Sequence, residues 1–388
     1  MIQDPLLVLA YLAALVSLVF QAARLPALRP LFDRLPALVW TYFLPMLSTT
    51  AGILPAESPV YRALARYLLP ASLALLLLSS EIKAVAKLGR TALAVMAAGM
   101  AGMALGGVAG FLLLRPWLPP EAWKAVGALV ATWTGGSANL LAVATALELS
   151  AELQGVLIIV DTVVAYTWMG VLISLAARQE RFDRWTGAER SVVDGVSERL
   201  AGRQEQARPP ALADMTLMVG LAVALTAVSL KLGSVLPPVG QVLNAFSWAI
   251  LVLTTAALAL SLTPLARLEQ AGASTLGYAG FYLLLASVGA QGDLGKVASH
   301  PQFVLLGLIV VAVHAAILFA ALRLLRAPLL FLGAASQACV GGYSSAPLVA
   351  AIYHPSMAPL GLLLAVLGNV VGTYLGLAVA QLLFAIGA

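Results

Sequence analysis

The chain has 388 residues, of which 61% are hydrophobic and 10% charged, with a formal net charge of +5. Soluble globular domains carry about 25% charged residues, so this composition, with a mean hydropathy of +0.97, excludes one and specifies a polytopic α-helical membrane protein. The basic residues are spread over loops between apolar segments, where they set topology rather than form a nucleic-acid surface, and a single cysteine, Cys339, excludes an internal disulfide.

The first twenty residues, MIQDPLLVLAYLAALVSLVF, lack a basic leader and a clear cleavage site and read as a membrane helix rather than a signal peptide. Apolar segments long enough to be membrane elements follow in order at about 5–22, 36–54, 64–80, 91–114, 123–147 and 155–177. A second set runs at about 212–232, 239–262, 276–291, 303–322, 329–352 and 358–386. Between the sets, residues 178–211 are rich in charge and glycine and include Pro209-Pro210. They read as a solvated linker, with a short amphipathic helix predicted around residues 187–200. The chain therefore divides into a first membrane repeat (1–177), the linker (178–211) and a second membrane repeat (212–388).

The fifth and eleventh segments share a break. Thr134 to Asn139 read TGGSAN, and Val340 to Ser345 read VGGYSS. The glycine pairs Gly135-Gly136 and Gly341-Gly342 lie 206 residues apart, and the same offset pairs Gly155 with Gly361, Val164 with Val370, Thr167 with Thr373 and Gly170 with Gly376. The chain is thus an internal duplication. Unwound backbone at membrane depth is tolerated only where it is buried in protein or lines a cavity, and interrupted segments in matching positions of two halves point to a transporter's binding site.

Charge decides between topologies. If the two broken segments are re-entrant hairpins, 16 of the 22 basic residues fall on one side and 6 on the other; if all twelve segments cross, the split is 14 to 8. The positive-inside rule favours hairpins. Each arm of about a dozen residues reaches roughly 18 Å, over half of a ~30 Å core. The expected fold is all-α, with two inverted repeats of five spans plus one interrupted (re-entrant or broken) helix each. Both termini are expected outside and the linker in the cytoplasm.

Asp161, in GVLIIVDTVVAYTWMG, is the acidic residue deep inside an apolar run. A charge there costs about 2.5–3.5 kcal/mol or more, so it is a functional candidate. Thr134, Ser137, Asn139 and Asn369 are expected to join it around a cation, because hydroxyl and amide oxygens suit hard alkali ions. Trp133, Gly135, Gly136, Gln337, Gly341, Gly342, Tyr343, Ser344, Ser345 and Gln291 are the candidates for the solute, with helix N-termini beyond the tips favouring an anionic group. Glu81 with Lys83 or Lys87 reads as a solvated pair, Asp293 as a gate or site candidate, and His314 as a helix-packing residue. No metal-ligand spacing, nucleophile–base pair, P-loop or dinucleotide fingerprint occurs, so neither an enzyme nor an ATP-driven pump is expected. No cofactor is expected beyond sodium or a proton as coupling ion.

The stretch WTGGSANLLAVATAL followed by the Asp161 helix, with SEIKAVAKLGRTAL and GAQGDLGKV, resembles the YjcL-like family of integral membrane proteins. The resemblance implies membership in a superfamily of bile acid–sodium symporters, auxin efflux carriers and cation–proton antiporters. It implies a core domain with interrupted helices and a panel domain that often forms homodimers. Antiporters of that superfamily place paired polar or acidic residues side by side, whereas Asp161 is flanked by Val160 and Thr162. The expected function is therefore a sodium-coupled secondary transporter of a small organic, anionic solute in the bacterial inner membrane. A cation–proton antiporter using Asp161 is the alternative, ahead of a channel or sensor. The expected partners are the solute and membrane lipid, not nucleic acid.

Overall fold

Every one of the twelve apolar segments is helical in a computed structural model, which describes residues 2–80, 82–85, 88–188, 208–292 and 300–387. The first half supplies α1 (Pro5–Ala23), α2 (Ala37–Thr50), α3 (Pro59–Leu78), α4 (Arg90–Leu114), the arms α5a (Ala122–Gly135) and α5b (Ser137–Ala146), and α6 (Ala151–Ala176). The second supplies α7 (Leu212–Val235), α8 (Ala245–Ser261), α9 (Ala273–Gly289), α10 (Gln302–Leu325), the arms α11a (Leu329–Val340) and α11b (Gly342–Tyr353), and α12 (Ala358–Gly387). Local chemistry sets the boundaries. Asp4 caps α1 by accepting from Leu7 N at 3.0 Å, with Pro5 at the first position, where its missing N–H is no loss.

Seven of the described helices, α1, α3, α4, α6, α7, α10 and α12, are long and apolar enough to cross a membrane. An eighth results if α8 is joined to the short helix Pro264–Ala271, from which it is bent by 92°. Helix length alone therefore does not reach ten spans. The reason is local: α2 has 14 residues and is followed by Gly52 at φ 74, and α9 has 17 and starts after Gly272 at φ 88. A single span asks for about 20 residues. In the linker, a helix occupies Gln179–Thr186 and ends on left-handed Gly187. Beyond residue 188, the predicted amphipathic helix lies outside the described residues, as do Glu81, Lys87 and Asp293 and the side chain of Lys83.

The helices pack as two groups. In one, α4 lies on α10, α5a on α12, and α6 on α10 and α11a; in the other, α7 lies on α8, and α9 on α2 and α3. Each group draws matching members from both halves of the chain. Several helix contacts have no side chain between the backbones. A Cβ on Gly106 of α4 would stand 2.7 Å from the Val310 carbonyl oxygen of α10, and one on Gly127 of α5a 2.9 Å from that of Gly376 on α12. Helices in lipid associate through such small-residue interfaces, because burying apolar side chains gives little gain where the solvent is itself apolar.

Both glycine breaks are hairpin tips. Gly136 takes φ 85, ψ 174, a region open essentially to glycine alone, and Gly342 takes φ 62. Uninterrupted helix would separate Lys124 from Glu148 by roughly 36 Å, yet Lys124 Nζ reaches the Glu148 carbonyl at 3.4 Å. The α5 arms therefore fold back on each other. The α11 arms do likewise, since a Cβ on Gly333, near the start of α11a, would press into the ring of Tyr353 at the end of α11b.

Candidate functional site

Helix α6 serves as a ruler for the two hairpins. The first closes at its N-terminal end, where Gln154 Nε2 donates to the Leu149 carbonyl at 2.8 Å. The second closes at its C-terminal end, where the Tyr353 hydroxyl donates to the Leu172 carbonyl at 2.6 Å. Just beyond α6, Asp183 accepts from Leu329 N at 2.7 Å. These levels are about 30 Å apart along α6. The hairpins enter from opposite ends of one helix, and Asp161 lies between them.

At the first tip, Trp133 Nε1 donates to Asp161 Oδ1 at 2.8 Å. Asn139 is fully buried, and its amide is spent. Nδ2 donates to the Gly135 carbonyl and to Asn369 Oδ1, both at 2.7 Å, while Oδ1 accepts from the Thr373 hydroxyl at 2.5 Å. Asn139 thus clasps its own tip to α12. At the second tip, Gln337 Nε2 donates to Ser345 Oγ at 2.7 Å and Tyr343 faces Asn369 and Ser80. Gln337 Oε1 and Thr134 Oγ1 are buried and have no partner among the described residues.

His314 packs as expected. It is buried, with Nδ1 2.8 Å from the Gly99 carbonyl and Nε2 2.9 Å from Ser336 Oγ, which also accepts from Trp168 Nε1 at 2.7 Å. A carbonyl only accepts, so Nδ1 carries the proton, and the chain of donors runs from Trp168 through the Ser336 hydroxyl to Nε2. This ties α11a to α4, α6 and α10.

A cavity of about 1160 Å³ opens between the two helix groups. The hairpin group lines it with Gly135, Gly136, Ser137, Asp161, Gln337, Gly341, Gly342, Tyr343, Ser345 and Asn369, all expected site residues. Four other expected residues do not line it. Trp133, Thr134 and Asn139 lie behind the tip, fully buried, and Gln291 is exposed with Nε2 on the Ser287 carbonyl. Asn139 and Trp133 face the protein because α12 and α6 supply partners there. The Ser344 side chain lies outside the described residues.

The opposite wall was not foreseen. It comprises Phe20 of α1, Glu269 and Ser274 at the bend before α9, and Tyr278, Phe281 and Tyr282 on α9. Glu269 accepts from Ser274 N at 2.9 Å and from Ser274 Oγ at 2.6 Å. Glu269 sits in LTPLARLEQAGAS, which reads as a boundary between segments, so nothing in its neighbourhood marks it as part of a site. Thr373 was visible only as the partner of Thr167 in the repeat. Among the described residues lining the cavity, two are acidic and none is Lys, Arg or His.

The protein family described as "Protein of unknown function (DUF819)" matches residues 9–386. The chain is also similar to the "Uncharacterized membrane protein YjcL" of Bacillus subtilis (strain 168), at 29% identity over 349 residues that cover 85% of this chain and 86% of the relative.

Proposed function

The chain belongs to the DUF819 family of membrane proteins, and from that premise we propose that it is a secondary active transporter of a small organic solute, working by alternating access. One observation carries the reading. Two hairpins entering from opposite ends of α6 bring their tips to one cavity beside Asp161, between two packed helix groups. Movement of the hairpin group against the other would expose that cavity to each side in turn. The groups are then a core and a panel, and residues 1–177 and 212–388 are inverted repeats of five spans plus one re-entrant hairpin. The protein binds and translocates and performs no chemical step.

Asp161 is the coupling-ion ligand. Its Oδ1 is oriented by Trp133, and the Ser137 hydroxyl lines a small void with it whose other walls are leucine, isoleucine and phenylalanine. We take sodium as the ion, since hard oxygens suit it. Kinship with the bile acid–sodium symporter superfamily, a homodimer, residence in the bacterial plasma membrane, outside termini and a cytoplasmic linker complete the proposal.

Asp161→Asn tests it, because it removes the charge while leaving an oxygen for Trp133. Sodium should raise the melting temperature of the parent protein and drive uptake into proteoliposomes, and neither should survive in the variant. An undiminished sodium response in the variant rejects the ion assignment. Sodium-blind transport driven by a pH gradient and lost in the variant would favour a cation–proton antiporter built on Asp161.

A further inference from the structure

Hydrogen bonding at the two tips leaves one amide group incomplete. At the tips the amide and indole donors are spent, Trp133 Nε1 on Asp161, Gln337 Nε2 on Ser345 and Asn139 Nδ2 on Gly135 and Asn369, while the hydroxyl-bearing Ser137, Tyr166, Tyr278 and Tyr282 also border the cavity. What is left over is an acceptor. Gln337 is 1% exposed, borders the cavity, and its Oε1 has no partner among the described residues. A buried acceptor without a donor is costly, so the second tip is less completely bonded than the first.

Charge around the cavity is one-sided. Asp161 and Glu269 both line the cavity, and no basic residue does among those described. The helix ends do not offset these carboxylates. Each tip places the C-terminus of one arm against the N-terminus of the next, so partial charges of about half a unit and opposite sign largely cancel. The sequence-based case for an anionic solute counted only the N-termini.

The far wall completes the pattern. Phe20 and Tyr282 meet edge to face at 4.7 Å between centroids, and Phe281 and Tyr282 at 5.5 Å. Tyr278 and Tyr343 are electrostatic neighbours of Glu269. Aromatic faces attract cations within about 6 Å of the ring centre, and the cavity volume exceeds what a small amine needs.

We propose that the solute is an organic cation, a protonated primary amine on an apolar body. Its ammonium is held beside Glu269 and Tyr278, and its body lies against Phe20, Phe281 and Tyr282. Asp161 remains for the coupling ion. The inference rests on the transporter reading and specifies its substrate class.

The test uses the full-length protein with matched amines, alcohols and carboxylates on hexyl, phenylethyl and indolylethyl skeletons. Binding is read by calorimetry and thermal shift, and transport by uptake into proteoliposomes. At least one amine should bind tenfold or more tightly than its alcohol and carboxylate counterparts. Its N,N,N-trimethyl form should lose threefold or more, because Glu269 then meets no N–H donor. Glu269→Gln should lower amine affinity about tenfold and leave the sodium response of Asp161 intact. Because Glu269 also holds Ser274, Tyr278→Leu is a second variant, expected to cost about threefold through the lost ring. Carboxylates binding as well as amines, no amine binding at all, or unchanged amine affinity in both variants overturns the inference. Any of these beside a persistent sodium response and uptake of a non-amine probe leaves the transporter reading standing. Loss of the sodium response and of all uptake removes both.

Discussion

At the first tip, Asn139 is wholly buried and spends its amide on Gly135, Asn369 and Thr373; at the second, Gln337 satisfies only its nitrogen, on Ser345, and its buried oxygen has no partner among the described residues. The sequence around the two glycine pairs is similar, and each breaks a helix at a positive-φ glycine. The difference comes from what lies alongside. Helix α12 presses on the first tip, where a Cβ on Gly372 would stand 2.9 Å from the Ala131 carbonyl oxygen and from Gly135 Cα. That proximity turns the polar residues inward to α12. At the second tip, which also borders the cavity, Gln337 and Ser345 bond to each other instead. A duplicated break is therefore not a duplicated arrangement: the polar residues of the first tip anchor it to α12, and those of the second do not.

Asn139→Ala should break this contrast most severely. It removes three hydrogen bonds and strands Thr373 and Asn369 in the interior, which should cost about 2–4 kcal/mol, and less if the membrane-embedded unfolded state re-pairs them. Melting temperature in detergent measures it. Thr373→Val on top of it should cost less than it does alone, with a coupling of about 0.5–3 kcal/mol. A normal melting temperature with weakened solute binding would make the first tip a recognition element instead.

Backbone strain comes next. Gly136→Ala forces a side chain onto φ 85, ψ 174 and should cost about 1–3 kcal/mol, whereas Gly342→Ala, at φ 62, should cost about 1–2 kcal/mol. Neither added methyl meets any atom within 4 Å, so the loss isolates the conformational cost. Equilibrium unfolding of both variants sharpens the comparison, and an unaffected Gly136→Ala would show that the first tip does not need that conformation.

Ser345→Ala should be milder for the fold and specific for binding. It releases Gln337 Nε2 at a cost of about 0.5–1.5 kcal/mol, and the freed amide should reduce solute affinity roughly threefold in a calorimetric titration. Gln291→Ala should have the smallest effect, within about 0.5 kcal/mol of the parent and without change in uptake, because the side chain is exposed and away from the cavity.

Much of the fold was legible in the chain. The membrane setting, the twelve helical segments and both breaks follow from hydrophobicity and from Gly135-Gly136 and Gly341-Gly342. Asp161 stood out because a lone carboxylate in an apolar run is itself unusual. The site was legible only in part. Trp133 read as a candidate for the solute and is the hydrogen-bond donor that orients Asp161. Asn139 read as an ion ligand and is a clasp. Glu269 read as nothing in particular and lines the cavity.

What the sequence determined by itself are the properties that neighbouring residues decide: which segments are apolar enough for lipid, where the backbone must unwind, and which charge is out of place. What only the tertiary structure decided is which way each polar group turns. Asn139 meets Asn369 across 230 positions, and Glu269 shares a cavity with Asp161 from the other side of the linker. Such pairings depend on how each helix is rotated about its axis and on the small residues that let α4 meet α10 and α5a meet α12. Hydropathy is blind to that rotation, because in these helices apolar residues cover nearly every face and leave the sequence without a direction that marks the interior.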